Sequence, residues 1–160
     1  MIDKRPILLA TDGSPAAAEA QREAIELAHV LDVTLLVVSV AHATLPAVGY
    51  AGYGYSNVVA ELTEAARHGA EKLLVSVADA AAASGVRCTT FAAEGLAVPE
   101  ICRIAGDRDA QLIVVGSRGW GAAKRLLSGS VSTGLVHHAP CPVLVVRGPH
   151  HSTVEQPVAA

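Results

Sequence analysis

Short apolar runs alternate with amphipathic helical patterns along most of this 160-residue chain, and this alternation constrains the fold more than any other feature. The strand-like runs are residues 7–10, 33–40, 86–92, 111–115 and 142–147. Alternating strands and helices form βαβ units, whose right-handed crossovers require a parallel sheet with helices on both faces. We therefore predict one open doubly wound α/β domain over residues 1–148, with a five-stranded parallel sheet in the order 3-2-1-4-5.

Local signals set the expected boundaries of these elements. Ser14 followed by Pro15 predicts the start of the first helix, because a hydroxyl caps free N–H groups and proline suits the first helical position. The second helix is expected to bury Leu62, Ala66, Leu73 and Val77 and to end at Gly85, with a Gly/Pro/Tyr-rich loop (44–56) before it. The third strand alternates and is less apolar, so we expect it at a sheet edge. Residues 149–160 lack apolar periodicity and are expected to form a flexible tail.

Composition excludes several classes of protein. The apolar runs are far shorter than the roughly 20 residues needed to cross a bilayer, although 51% of the residues are hydrophobic. A net charge of -3 and an aromatic content of 3% argue against binding nucleic acid. Three widely spaced cysteines and a start without a basic, apolar leader favour a reducing cytoplasm over export.

Two segments with suitable chemistry follow the first and fourth strands. Asp12 and Gly13 follow the first strand, and a glycine-rich stretch runs from Gly116 to a predicted helix start at Ser130. In an open α/β sheet, ligands bind beyond the carboxyl ends of the strands, where the strand order reverses. Glycines allow close approach of the backbone, and a helix N-terminus offers unpaired N–H groups to an anion. A carboxylate such as Asp12 can accept hydrogen bonds from ribose hydroxyls or hold a metal through water.

Four stretches of the chain resemble the universal stress protein family. They are residues 7–14, 110–119, 125–132 and 138–146. The ATP-binding branch of that family carries Gly, two residues, Gly, nine residues, Gly and then Ser or Thr. Gly116, Gly119, Gly129 and Ser130 meet every one of these spacings. A long gapped motif is much more specific than a single glycine triplet.

The resemblance implies a binding site for ATP, AMP or cyclic AMP, with Mg²⁺ held only through the nucleotide. Asp12 would contact the ribose beside Ala10 and Thr11, and Val40 would lie against the adenine. The remaining site residues surround the phosphates. The ribose and phosphates would be approached by Gly116, Ser117 and Gly119, with Arg118 beside them. The phosphates would accept hydrogen bonds from the backbone N–H groups of Gly129, Ser130 and Val131, and Ser132 would be an additional donor.

Plainer interpretations of the same residues remain open. Asp12, Gly13 and Ser14 are usual turn formers, and Gly116 and Gly119 could serve only close packing of a helix on a strand. Adjacent histidines at 137–138 and 150–151 do not predict a metal site, because no cysteine or carboxylate lies near them at ligand spacing. The three cysteines are expected to be small buried hydrophobic residues.

Three functions compete on this basis. The first is a nucleotide-binding regulatory module, the second a dimeric interaction protein without nucleotide, and the third a slow ATPase. The sequence contains no Walker motif and suggests no catalytic residue, so we expect at most weak hydrolysis. The fifth strand, Val143–Val146, is apolar and uncharged up to Arg147, which predicts a homodimer that pairs this strand with its own copy.

Overall fold

The described residues form one parallel sheet with helices packed on both faces. A computed structural model describes residues 4–41, 55–117 and 130–148, with the main chain alone at 55–58. Within them the sheet has five strands in the order β3-β2-β1-β4-β5, so the predicted fold is confirmed. The strands are β1 (Ile7–Ala10), β2 (Leu35–Ala41), β3 (Cys88–Glu94), β4 (Leu112–Gly116) and β5 (Val143–Val146). The helices are α1 (Pro15–Leu31), α2 (Tyr55–Ala83), α3 (Ala97–Asp107) and α4 (Ser130–His138).

Burial follows the position of each strand in the sheet. All four residues of β1 are buried, since β1 lies at the centre between β2 and β4. The strands β3 and β5 form the two edges and contain exposed residues. The prediction that β3 lies at an edge of the sheet is therefore confirmed. An edge strand is partly exposed to solvent, so it needs apolar residues at only some of its positions.

Two apolar clusters lie on opposite faces of the sheet. On one face, Leu9 and Val37 pack against Ala24 of α1 and Val77 of α2. On the other face, Leu8 and Val38 pack against Ile104 of α3 and Leu135 of α4. Because neighbouring residues of a strand point to opposite faces, the nearly continuous apolar runs of β1 and β2 are needed to fill both clusters.

Strands β2 and β3 begin two residues later than the sequence predicts, for one shared reason. After α1, Asp32 adopts a left-handed conformation (φ 50°), and the N–H of Val33 donates to the Ala28 carbonyl oxygen at 3.0 Å. After α2, Gly85 has a left-handed conformation (φ 72°), and the N–H of Val86 donates to the Ala81 carbonyl oxygen at 2.9 Å. Val33 and Val86 are therefore apolar residues of helix caps, and pairing with the sheet starts beyond them.

Two helices also differ from their predicted form. Helix α3 begins at Ala97 instead of Pro99, because a proline within the first turn removes an N–H that has no partner inside the helix. In α2, Leu62 and Ala66 are exposed, whereas Ala70, Leu74 and Val77 are buried. A helix of 29 residues is roughly 43 Å long and outruns the strands beneath it, so its first half extends beyond the sheet. Its first residue, Tyr55, belongs to the helix and not to the predicted loop.

Candidate functional site

The candidate site lies at the carboxyl edge of the sheet, between β1 and β4. These two strands are neighbours, with Ala10 paired in register with Val115. The chain leaves β1 into α1 on one face and leaves β4 towards α4 on the other face. The connections after these two strands lead to opposite faces of the sheet, and open α/β sheets bind ligands in the crevice at such a point.

The end of β1 is a tight turn held by side chains. The Thr11 N–H donates to the Val38 carbonyl oxygen at 3.0 Å, which continues the sheet pairing by one residue. The Thr11 hydroxyl accepts from the Gly13 N–H at 3.3 Å, and an Asp12 carboxylate oxygen accepts from the Ser14 N–H at 3.0 Å. Asp12 is exposed at the crevice, so this carboxylate both shapes the turn and faces solvent.

Ser14 caps helix α1, as its sequence context predicts. Its hydroxyl accepts a hydrogen bond from the Ala17 N–H at 3.2 Å, and Pro15 occupies the first helical position. Gly13 before it has φ 76°, a conformation that costs a residue with a side chain, and a Cβ there would lie 3.5 Å from Leu73 of α2. The interpretation of this segment as a turn and helix cap is therefore correct, whether or not Asp12 also contacts a ligand.

Gly116, at the end of β4, has a packing role that the sequence analysis gave only as an alternative. A Cβ at this position would lie 2.7 Å from the Ala16 carbonyl carbon and 2.8 Å from the Ala17 backbone nitrogen. The first turn of α1 therefore rests directly on the backbone of β4. The adjacent small residues Ala16 and Ala17 are the sequence signal of this close approach. The next residue, Ser117, donates its N–H to the Val146 carbonyl oxygen at 2.7 Å.

The start of α4 is the third part of the edge. Ser130 is its first residue and is exposed. Val131 is partly buried and packs on the face covered by α3 and α4. Ser132 is only 3% exposed, so its side chain lies within the protein at this helix start.

Val40 and Ala10 lie on the same face of the sheet as α4. Val40 is next to last in β2 and partly buried, and Ala10 ends β1 and is 4% exposed. The predicted contacts of Arg118, Gly119 and Gly129 fall outside the described residues. The structure thus brings the ends of β1, β2 and β4 and the start of α4 to one edge.

Within the described part of the chain, the histidines and cysteines form no group at this edge that suggests a separate chemistry. The rings of His137 and His138 are 6.4 Å apart and tilted by 57°, and the described residues contain no group of three metal-ligating side chains. Cys88, Cys102 and Cys141 are free thiols and half-buried, less buried than expected. Burial raises the pKa of each thiol, which keeps all three protonated at neutral pH. Among the residues that can be described, no helix is both long and apolar enough to span a membrane.

Comparisons with known proteins point to one family. The model of the universal stress protein family matches residues 4–147. A Staphylococcus epidermidis protein that is assigned to the universal stress proteins is 35% identical over 151 residues, covering 92% of this chain and 86% of its own.

Solved structures agree with this match. Universal stress protein UspA from Lactobacillus plantarum is 27% identical, covers 90% of this chain and 98% of its own, and has a TM-score of 0.79. Two further neighbours were solved with nucleotides. A universal stress protein in complex with cAMP is 22% identical, covers 91% of this chain and 98% of its own, and has a TM-score of 0.67. The universal stress protein from Archaeoglobus fulgidus in complex with dAMP is 24% identical, covers 91% of this chain and 99% of its own, and has a TM-score of 0.58.

Proposed function

Because this chain belongs to the universal stress protein family, we propose that it binds an adenine nucleotide, ATP foremost, as a regulatory module of the stress response. The proposed site is the crevice at the carboxyl edge between β1 and β4. One observation carries the proposal: the ends of β1 and β4 and the N-terminus of α4 meet where the chain turns to opposite faces of the sheet.

Each part of this edge suits one part of a nucleotide. The exposed N-terminus of α4 suits phosphate, because unpaired N–H groups and the helix dipole favour an anion. The Asp12 carboxylate suits ribose hydroxyls, and partly buried Val40 suits the apolar face of adenine. The neighbours solved with cAMP and dAMP support an adenine nucleotide as the ligand class. Mg²⁺ would arrive with the phosphates of ATP.

We propose binding without efficient hydrolysis. Among the described residues at the ends of β1 and β4, the acidic group is Asp12, and one of its oxygens already accepts the Ser14 N–H. A general base must reach the attacking water in the correct geometry, and phosphoryl transfer also needs donors positioned around the transferred group. A slow ATPase is the alternative within the same site.

Isothermal titration with ATP, AMP and cyclic AMP tests the proposal. We expect Gly129→Val to abolish binding, because a branched side chain beside the α4 N-terminus blocks approach of phosphate. Gly106→Val in α3 is the matched control, since a Cβ at Gly106 meets no atom within 4 Å and lies far along the chain from the site. ATP at ~100 times its dissociation constant adds about 2.7 kcal/mol to the free energy of unfolding. Each kcal/mol raises the melting temperature of a domain of this size by roughly 2–4 °C.

A wild-type chain that binds none of the three nucleotides at millimolar concentration would favour the interaction protein without nucleotide. If wild type and Gly129→Val bound ATP with equal affinity, the proposal of nucleotide binding would stand, but the placement of the phosphates at the start of α4 would be wrong.

We also propose a homodimer through β5. Leu144 and Val145 are 36% and 37% exposed, and because successive residues of a strand point to opposite faces, β5 is apolar on both sides. Among the described residues, no second strand pairs with β5 on the side away from β4. An edge of this kind invites association unless it is covered, and pairing with a second copy extends the sheet across a two-fold axis. The three free thiols support a reducing compartment such as the cytoplasm.

Sedimentation of wild type and Val145→Lys tests the dimer. We expect a dimer at micromolar concentration for the wild type and a monomer for the variant, because lysine charges would meet across the paired strands. Val30→Lys, on an exposed site of α1 (71% exposed), is the control and should remain dimeric. A monomeric wild type contradicts the proposal.

A further inference from the structure

Arg147 directly follows β5, at the carboxyl edge of the sheet. Gly116, the last residue of β4, pairs in register with Val146, and the Ser117 N–H donates to the Val146 carbonyl oxygen at 2.7 Å. In parallel pairing, an N–H donates to the carbonyl oxygen of the residue before its partner, so this bond places Arg147 opposite Ser117. Paired strands lie about 4.8 Å apart, and Arg147 is therefore one strand spacing from a residue of the predicted phosphate site.

The Arg147 side chain points to the sheet face that α3 and α4 cover. Val146, before it, packs on the face of α1 and α2. A Cβ at Gly148, after it, would lie 3.3 Å from the Cα and Cβ atoms of Ala16 in α1. Successive residues of an extended chain point to opposite faces, so the residue between these two points away from α1. Helix α4 begins on that other face, at the same edge of the sheet.

Ser117 shares this orientation. Val115, two residues earlier, packs in the cluster beneath α3 and α4, whereas a Cβ at Gly116 would meet Ala16 of α1. Residues that alternate in this way put the Ser117 side chain on the α4 face, and its neighbour in register points to the same face. A hydroxyl and the guanidinium group of Arg147 thus lie side by side on the face where α4 begins.

The charge of Arg147 is not neutralised within the described part of the protein. Five other cations form ion pairs with carboxylates: Lys4, Arg5, Arg22, Arg67 and Arg103. Arg108 lies over the Phe91 ring at 5.0 Å. Arg147 is exposed, and among the described residues no carboxylate pairs with it. A planar, always charged guanidinium group with open donors suits phosphate oxygens, which accept two parallel hydrogen bonds from it.

We propose that Arg147 binds the outer phosphates of the nucleotide at the start of α4, and that it makes the site prefer ATP to AMP. The inference rests on the nucleotide-binding function proposed above. AMP carries one phosphate, which the N–H groups of a helix start can hold. ATP carries two more phosphates and more negative charge, and these favour a cation beside the helix start. Arg147 supplies that cation from the neighbouring strand.

A plainer role for Arg147 is protection of the β5 edge, since charged residues on an edge strand hinder its association with other chains. The position of Arg147 suits this role poorly. It follows the last residue of β5, and the strand itself, Val143–Val146, contains no charge. Its pairing with Ser117 and its direction towards the α4 face fit a ligand role better.

Isothermal titration of ATP with Mg²⁺, and of AMP, into wild type, Arg147→Gln and Arg87→Gln tests the inference. Arg87 is an exposed arginine before β3 at the amino edge, so Arg87→Gln is the matched control for the loss of one positive charge. We expect Arg147→Gln to weaken ATP binding about tenfold and AMP binding by no more than about twofold, because the outer phosphates alone lose a charged donor. Arg87→Gln should leave both affinities unchanged.

Arg147→Lys retains the charge but loses the paired donors, so its ATP affinity should fall less than that of Arg147→Gln. Because the side chain is exposed, both variants should fold, and their melting temperatures without nucleotide check this. The inference is overturned if wild type binds ATP and AMP equally tightly, or if Arg147→Gln binds ATP as wild type does. It is also overturned if Arg147→Gln loses affinity for ATP and AMP to the same extent. A wild type that binds neither nucleotide would overturn the proposed function itself, and this inference with it.

Discussion

The two ends of the sheet are built differently although the same strands form both. At the amino edge, Lys4 pairs with Asp32 at 2.7 Å and Arg5 with Asp109 at 3.3 Å. The Gln111 N–H also donates to the Pro6 carbonyl oxygen at 2.9 Å. At the carboxyl edge, the turn after β1 is held by a hydroxyl and a carboxylate bound to nearby backbone N–H groups.

This difference separates structural from ligand-facing residues. Three of the four helix-to-strand connections at the amino edge share one feature, a left-handed residue that closes the helix, at Asp32, Gly85 and Asp109. The carboxyl edge contains helix starts, a positive-φ glycine and polar side chains exposed to solvent. Changes at the carboxyl edge should alter ligand binding, and changes at the amino edge should alter stability alone. Substitutions at three positions test this division.

Gly116→Ala should have the largest effect, a loss in the free energy of unfolding. Gly116 would then be a residue of the carboxyl edge that matters for stability, contrary to the general division. A Cβ there would lie within 2.8 Å of backbone atoms of Ala16 and Ala17, which cannot move without shifting α1. Overpacking of this kind costs roughly 3 kcal/mol of unfolding free energy. Gly106→Ala is the control and should be neutral or slightly stabilising, since a Cβ at Gly106 meets open space. Urea denaturation of both variants distinguishes packing from a purely ligand-related role of Gly116.

Asp12→Ala and Asp12→Asn should have an intermediate effect, a loss of ATP affinity. Together they separate the role of Asp12 in the turn from the role of its charge. Alanine removes the acceptor of the Ser14 N–H, whereas asparagine retains an oxygen at that position and removes the charge. We expect Asp12→Ala to weaken ATP binding about tenfold, equivalent to about 1.4 kcal/mol, and Asp12→Asn to weaken it less. Titration calorimetry measures both. Equal loss in the two variants would show that the charge matters and the turn does not.

Lys4→Met, at the amino edge, should have the smallest effect. Its partner Asp32 has a pKa below the ordinary 3.8, because Lys4 donates a hydrogen bond to the carboxylate and attracts its charge, as Arg87 also does. The stability from this pair is complete above pH 3.8 and is lost as the pH falls through the lowered pKa. Urea midpoints should therefore differ slightly near pH 7 and converge in acid, with unchanged nucleotide affinity. A clear change in nucleotide affinity would contradict the division.

The sequence predicted the order and type of the elements well because their signals are local. The Ser14-Pro15 cap, the Gly85 terminus and the edge character of β3 each depend on residues close together in the chain. The strand starts were misplaced because Val33 and Val86 are apolar for a different reason, as parts of helix caps. The first half of α2 was misjudged because periodicity does not reveal where the sheet beneath a helix ends.

The sequence predicted which strand ends and helix start lie at one edge of the sheet, but not the packing roles of the residues there. Gly116 fits a ligand-binding motif by spacing, yet its contact with Ala16 arises between segments far apart in the sequence. The burial of Ser132 likewise depends on how α4 packs on the sheet. A groove of about 380 Å³ between β3 and α3 also has no sequence motif, because its lining residues come from separate segments of the chain. Contacts of this kind need the assembled fold.

The most direct test of the central claim is a titration of the ¹⁵N-labelled protein with ATP and Mg²⁺, followed by amide chemical shifts. We expect large shifts around the carboxyl edge, at Asp12, Gly13, Ser117, Ser130 and Val131. We expect negligible shifts at the amino edge, at Asp32, Asp109 and Gln111. Shifts confined to the amino edge or to the β3 groove, or no shifts at millimolar ATP, would contradict it.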